Sequence, residues 1–164
     1  MTTAHYGDVR LFKHDFRFVE VDAGYAGMGL TTEDYTEVTD MLKAQLAKEG
    51  ELYCDNDANR CLLKEKCESY SGQILDLKLR LSNRADFTVK GEDLLAPKSV
   101  IDHTGEYQCQ LLLFDSGNVY MIGAALLKDY YTVFDVDKFR IGLGKVIDFD
   151  APPPAEAVDE GGDE

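Results

Sequence analysis

Residues 121–143 read Met121-Ile122-Gly123-Ala124-Ala125-Leu126-Leu127-Lys128-Asp129-Tyr130-Tyr131-Thr132-Val133-Phe134-Asp135-Val136-Asp137-Lys138-Phe139-Arg140-Ile141-Gly142-Leu143. Val119 to Ile122 is a short strand-forming run, and Gly123 breaks it. Ala124 to Tyr130 has the composition of a short helix, because Ala and Leu lose little freedom there. Tyr131 to Asp135 and Phe139 to Lys145 are rich in aromatic and β-branched residues. They read as a hairpin turning at Val136-Asp137-Lys138. Tyr130, Tyr131 and Phe134 are assigned to a core.

Upstream, Leu75, Leu77, Leu79 and Leu81 alternate with Asp76, Lys78 and Arg80, the period-two pattern of a half-buried strand. Phe87 to Val89, Leu94 to Ile101 (interrupted by Pro97) and Tyr107 to Phe114 predict further short strands. Val9 to Phe12 and Phe16 to Val21 predict two more near the start. Next comes Asp22-Ala23-Gly24-Tyr25-Ala26-Gly27-Met28-Gly29, a loop whose glycines permit sharp turns. Thr31 or Thr32 then caps a helix, with Glu33 and Asp34 in the first turn where the helix dipole favours negative charge. Tyr35, Val38, Leu42 and Leu46 recur at helical spacing as one buried face, and Gly50 stops the helix. Residues 51–70 read as a polar stretch holding three of the four cysteines. No internal repeat is visible. The short connections predict antiparallel pairing, so the fold class is mainly β, antiparallel sheets with one or two short helices.

The chain has 164 residues, with 17 Lys+Arg against 31 Asp+Glu and a formal net charge of −14. A hydrophobic content of 45% supplies a core and excludes global disorder. Six of the acids and no base lie in residues 150–164, so the rest carries 25 acids against 17 bases, a net −8. An acidic surface repels phosphate backbones and anionic head groups, which argues against nucleic acid and membrane partners. No run approaches the roughly 18 apolar residues of a membrane span. Met1 to Arg10 holds no apolar run of signal-peptide type, so no self-directed entry into a secretory pathway is expected. His5, His14 and His103 are scattered and read as exposed.

Two segments together resemble the C-terminal lobe of pepsin-like aspartic peptidases. One is the opening stretch. That family has a hydrophobic-hydrophobic-Gly element, a short helix, a Tyr-Tyr-Thr-Val-Phe-Asp strand, a turn, and a strand with a Gly-containing motif. The other is Val19-Glu20-Val21-Asp22-Ala23-Gly24, followed at the family's spacing by Leu30 and the helix through Asp34-Tyr35. It stands where the lobe carries its catalytic Asp-Thr-Gly or Asp-Ser-Gly loop. The Leu75–Leu81 strand, Phe87-Thr88-Val89-Lys90-Gly91 and Cys109 fit the middle of the lobe. The resemblance implies a single lobe of the pepsin-like acid protease fold over residues 16–147. Residues 1–15 then form an N-terminal strand or extension. Residues 148–164 form an acidic, proline-rich tail that is flexible unless docked. The family's N-terminal lobe has no counterpart in this sequence.

The chemistry that the resemblance implies needs two carboxylates. They share one proton, because like charges so close cannot both ionise. One accepts a proton from water, the water attacks the peptide carbonyl, and the protonated partner stabilises the oxygen that forms. Asp22 matches one member of the pair, and nothing in the chain matches the other. Gly24, Ile122 and Gly123 match the residues that support the loop. Ala23 stands where the family has Thr or Ser, whose hydroxyl ties the two lobes together. Two further family hydroxyls align with Tyr25 and Ala26, and an acidic residue common after Gly123 is replaced by Ala124. The glycines at 24, 27 and 29 do not match a dinucleotide fingerprint, because their order is wrong and no βαβ unit follows. No cofactor and no metal are implied.

Cys54, Cys61, Cys67 and Cys109 allow three pairings. The family resemblance implies Cys67 with Cys109, which leaves Cys54 with Cys61. The rivals are free buried thiols and a zinc site, whose short knuckle spacing is absent. The resemblance implies a secretory, vacuolar or extracellular setting, against the absence of a signal-type run in Met1 to Arg10. The departures in the loop predict a lobe inactive alone, an interaction or structural subunit whose missing-lobe face is covered by a protein partner or by self-association. The alternative is an active aspartic endopeptidase, with a second Asp-bearing lobe or chain completing the site and a peptide as substrate. A third possibility is that the sequence is one piece of a longer protease.

Overall fold

A computed structural model describes residues 1–12, 16–46, 50–81, 85–97 and 106–146. Strands β1 (Thr3–Tyr6), β2 (Val9–Arg10), β3 (Val19–Val21) and β4 (Met28–Leu30) precede helix α1 (Thr32–Leu46). Then follow β5 (Leu52–Asp55), β6 (Arg60–Leu63), β7 (Leu77–Arg80), β8 (Asp86–Val89) and β9 (Leu95–Pro97). The chain continues through β10 (Cys109–Leu111), β11 (Leu113–Asp115), β12 (Tyr120–Ile122), helix α2 (Ala124–Leu127), β13 (Tyr130–Asp135) and β14 (Arg140–Lys145). The chain divides into two compact units, Met1–Lys128 and Asp129–Glu164. The fold is mainly β, a single pepsin-like lobe. No helix among the described residues is long and apolar enough to cross a membrane.

Three four-stranded sheets build the first unit, with orders β2-β1-β7-β8, β5-β6-β10-β9 and β11-β4-β12-β3. The first is antiparallel throughout and follows the leucine alternation: Leu77 and Leu79 are buried while Lys78 and Arg80 are exposed. The second contains a hairpin that the polar composition of residues 51–70 concealed. Cys54 stands opposite Cys61 in register across β5 and β6, and the two are disulfide-bonded. Cys67 is bonded to Cys109 in β10.

The third sheet corrects the expectation of purely antiparallel pairing. β11 runs parallel to β4, and β12 runs parallel to β3, while β12 and β4 are antiparallel. Parallel neighbours need a long crossover, and helix α1 with strands β5 to β10 lies between these strands in the sequence. The expectation rested on connections between consecutive strands, which say nothing about distant pairs. Met28 and Gly29, read as loop, belong to this sheet as the buried strand β4. The apolar run from Tyr107 to Phe114 is not one strand but two. It breaks at Leu112, whose N–H donates to Leu94 O (2.7 Å) while its carbonyl accepts from Met28 N (2.9 Å). One residue thereby passes the chain from the second sheet to the third. Other strands are shorter than their sequence runs, with Leu11 and Phe12 buried beyond β2, where Leu11 N still donates to Ala4 O at 3.0 Å. The predicted run to Ile101 lies beyond residue 97 outside the described residues, as do His14 and His103. His5 is half-buried.

Helix α1 starts as read. Thr31 caps it, its Oγ1 accepting from Asp34 N at 3.4 Å. Tyr35, Val38, Leu42 and Leu46 are buried, and Gly50 has φ +78°. Asp34 also lies fully inside. Thr31 Oγ1 donates to its Oδ2 at 2.6 Å, and Tyr120 Oη donates to the same oxygen at 2.8 Å. A buried carboxylate is tolerated only when so bonded, and each such bond adds about 1.5–3 kcal/mol. The cluster ties the helix start to β12.

In the second unit, β13 and β14 form the expected antiparallel hairpin, with Asp135 opposite Arg140. The expectation that Tyr131 and Phe134 are core is wrong for these described residues: they are 73% and 51% exposed. A two-stranded ribbon has no second layer to bury them.

Buried hydroxyls make the first unit sensitive to alkali. Burial pushes the Tyr6 hydroxyl up to about 12, against the Leu75 N–H that it accepts. Burial, then Asp34, raises Tyr120, and burial, then its bond to Glu51, raises Tyr70. A raised folded-state value stabilises fully below the unfolded tyrosine value of about 10 and is lost as pH rises through the folded values. Urea midpoints measured between about pH 8 and about pH 11.5 are expected to fall only above about pH 10.

The loops closed by the disulfides span 42 and 7 residues. Chain entropy gives roughly 4 kcal/mol for the longer and roughly 2.5 kcal/mol for the shorter. Replacing Cys67 and Cys109 by Ser is therefore expected to lower unfolding stability more than replacing Cys54 and Cys61, as read by urea titration.

Candidate active-site loop

Strand β3 delivers the chain to Asp22, whose N–H donates to Ile122 O at 3.0 Å. The chain then turns tightly. Tyr25 N donates to Asp22 O at 3.1 Å, and Gly24 N donates to Asp22 Oδ1 at 2.8 Å. The carboxylate thus holds its own turn, as Asp side chains commonly do. A Cβ on Gly24 would stand 3.2 Å from Asp22 Oδ1, tighter than an ordinary contact.

Ile122 and Gly123 underlie the turn. Ile122 is buried and is paired on both sides, with Val21 in β3 and Met28 in β4. A Cβ on Gly123 would lie 2.2 Å from Tyr25 O and 2.5 Å from Gly27 O, so no side chain fits. Ala124 N donates to Tyr25 O at 2.7 Å, fixing the loop over the start of α2. Gly27 is equally constrained, because its Cβ would lie 2.1 Å from Leu112 O. Sequence inspection placed Gly24, Ile122 and Gly123 at the loop and passed over Gly27. Only a glycine pattern marked it, and the backbone it touches is 85 residues away.

The polar surroundings of Asp22 are sparse. Asp22, Ala23, Gly24 and Ala26 are exposed. Among the described residues the second carboxylate oxygen, Oδ2, has no hydrogen-bond partner. The Tyr25 hydroxyl bonds to nothing at this loop among the described residues. The Tyr25 ring meets Phe114 edge-on at 5.3 Å, and burial, then the charge of Asp115, raises its hydroxyl above the ordinary value. Among the described residues no group of three or more His, Cys, Asp or Glu could hold a metal ion.

The family model described as eukaryotic aspartyl protease matches residues 2–146. The chain belongs to that family. No curated protein matches the sequence at a significant level. Within an aspartyl protease lobe, the geometry separates two layers of the loop. The backbone layer is close-packed, with no room for a side chain on Gly27 or Gly123 and little on Gly24, above the buried Ile122. In the side-chain layer Ala23 and Ala26 offer no hydroxyl, and the Tyr25 ring packs on Phe114. Residues missed by sequence inspection include Met28 and Gly29 of β4, hidden by the run of glycines. The Tyr25–Phe114 ring contact carries no signal in sequence.

Gly123→Ala is expected to force the loop off its seat. Overpacking typically costs about 1–3 kcal/mol, and backbone carbonyls have less room to give than side chains. Thermal unfolding should show a clear loss, whereas Ala124→Gly, at an exposed helix start, should cost less than about 1 kcal/mol.

Proposed function

We propose that this aspartyl protease lobe is of the C-terminal type, does not cut peptides by itself, and serves as an interaction or structural subunit. The observation that carries the reading is Asp22 Oδ2, exposed and without a hydrogen-bond partner among the described residues, beside Ala23 and Ala26. Aspartic peptidase chemistry requires a second carboxylate close enough to share a proton, plus hydroxyls that hold both oxygens in place. A solitary carboxylate neither activates water strongly nor donates a proton at the other face of the carbonyl.

Two surfaces support an interaction role. Among the described residues strand β3 is one open edge of its sheet, and the residues leading into it include Phe16 and Phe18, which are exposed with rings in edge contact at 5.9 Å. An unpaired edge beside apolar side chains invites pairing with another chain. In the second unit, Tyr131, Val133, Phe134, Val136, Phe139 and Ile141 are exposed. Apolar surface of that extent marks protein contacts. The two disulfides fit an oxidising compartment.

A second reading is favoured by the close-packed backbone layer and by Asp22 itself. In it, a second lobe or chain, or a second copy, sets another carboxylate opposite Asp22 and the pair hydrolyses peptides. The two carboxylates share one proton. The ionised one takes a proton from water as its oxygen bonds to the peptide carbon, and the leaving nitrogen is protonated as the C–N bond breaks.

Cleavage of an unfolded protein substrate at acidic pH separates the two readings. The purified chain is expected to give no more hydrolysis than Asp22→Asn, with or without a transition-state-mimicking inhibitor. Hydrolysis that Asp22→Asn and the inhibitor both abolish would overturn the inactive reading. Light scattering is expected to report a mass above that of one chain, and a well-behaved monomer would count against the interaction role.

A further inference from the structure

The solvent face of the sheet β2-β1-β7-β8 stands out in a chain of net charge −14. Arg10 on β2 stands opposite His5 on β1, and His5 stands opposite Lys78 on β7. Thr3, Arg80 and Asp86 form the neighbouring row. Side chains two residues apart on a strand share a face, so all of these lie on one side. Leu77, Leu79, Phe87 and Val89 fill the other side and are buried.

Two carboxylates at this sheet, Asp86 and Asp76, are already committed. Asp86 accepts from Arg80 Nε at 2.6 Å and from its terminal nitrogen at 2.8 Å. Asp76 accepts from Lys90 Nζ at 2.9 Å and from Gly91 N at 3.0 Å, which holds its carboxyl below the usual range although burial pulls the other way. Arg10 and Lys78 are in no ion pair among the described residues. His5 lies between them and brings a ring N–H donor to the row. Thr3, His5, Lys78, Arg80, Asp86 and Thr88 line a shallow cleft of about 290 Å3.

We propose that this face binds an acidic peptide in extended conformation. Lys78 and Arg80 are two residues apart on one strand, roughly 7 Å along it. An extended peptide with a carboxylate at every second residue has the same repeat. One carboxylate sits in the Arg10–His5–Lys78 row, and the next reaches Arg80 Nη1, the guanidinium nitrogen that Asp86 does not bond. Leu79 and Phe87 also line the cleft but are buried, so the face offers no exposed Phe, Tyr or Trp to stack a base and no exposed apolar side chain to enter a bilayer. Remote acidic groups are screened beyond about 8–10 Å at physiological salt, so the local cations govern a short ligand. This binding does not depend on whether Asp22 cuts peptides.

The test uses the full chain and a fluorescent, end-blocked peptide of alternating glutamate and serine, with the glutamine–serine peptide as its neutral counterpart. Anisotropy in physiological salt should detect the glutamate peptide only, with weaker binding as salt rises. Arg10→Gln with Lys78→Gln should weaken it about tenfold, whereas Lys66→Gln, exposed and outside the sheet, should not. Far-UV circular dichroism confirms that the variants fold, and the His5 imidazole resonance should move on titration. Three results would each overturn the proposal: no binding of the glutamate peptide, equal binding by the double variant, or tighter binding of a sulfated oligosaccharide or of vesicles containing phosphatidylserine.

Discussion

The loop at Asp22 exists because two carbonyl groups come where a side chain would be. Tyr25 O and Gly27 O lie 2.2 Å and 2.5 Å from the position a Cβ would take on Gly123. A hydrogen atom there lets Ala124 N reach Tyr25 O, and that bond clamps the turn to α2. The same residue ends β12, which joins β3 and β4 into one sheet. Strand order, loop path and carboxylate position therefore share one steric condition. Gly27, against Leu112 O, secures the far side of the turn and is met by the residue that hands the chain from one sheet to another.

Polar atoms reinforce this frame from inside. Asp34 receives the hydroxyls of Thr31 and Tyr120, joining the start of α1 to β12. Its Oδ1 is buried without a partner among the described residues. A carboxylate held that way is favoured only while both hydroxyls remain, so helix start and strand stand or fall together. Tyr35, on the same helix, brings its hydroxyl to 3.0 Å from Cys61 Sγ. Through that contact the helix also meets the disulfide-bonded hairpin β5–β6. The covalent links and the buried polar cluster thus brace different sheets through one helix.

Much of this was legible where local pattern and tertiary role agree. The leucine alternation at 75–81 gave β7, the spacing of Tyr35, Val38, Leu42 and Leu46 gave the face of α1, and the Tyr131–Lys145 composition gave the hairpin. The failures share a cause, in that their partners lie far away in sequence. Parallel pairing of β3 with β12 has no local signature, because residues 19–21 meet residues 120–122. β4 resembles a loop in sequence because glycines suggest flexibility, whereas Gly29 admits Ser116 and Met121. The β5–β6 hairpin was masked by polar residues, although Cys54 and Cys61 face each other in it. At the candidate site, the identity of the loop residues was readable, but the unpartnered Oδ2 of Asp22 was not.

The hairpin of the second unit poses the converse problem, a sequence choice its own fold does not require. Gly142 lies opposite Val133, and Gly144 opposite Tyr131. Neither glycine has a left-handed backbone, and a Cβ would meet nothing closer than 3.7 Å and 3.9 Å respectively, ordinary contacts. Side chains would fit, and strand glycines cost roughly 0.5–1 kcal/mol each relative to alanine. A strand glycine with no internal cause often marks where another backbone or ligand approaches closely. Here the two glycines lie on the same face as Tyr131 and Val133, so that face has tall side chains on one strand and bare backbone on the other. Residues 129–146 carry three acids and three bases, so this segment adds nothing to the −14 of the chain. Its neutrality, its exposed apolar side chains and its unneeded glycines all favour contact with another polypeptide, which the interaction role proposed for this lobe requires.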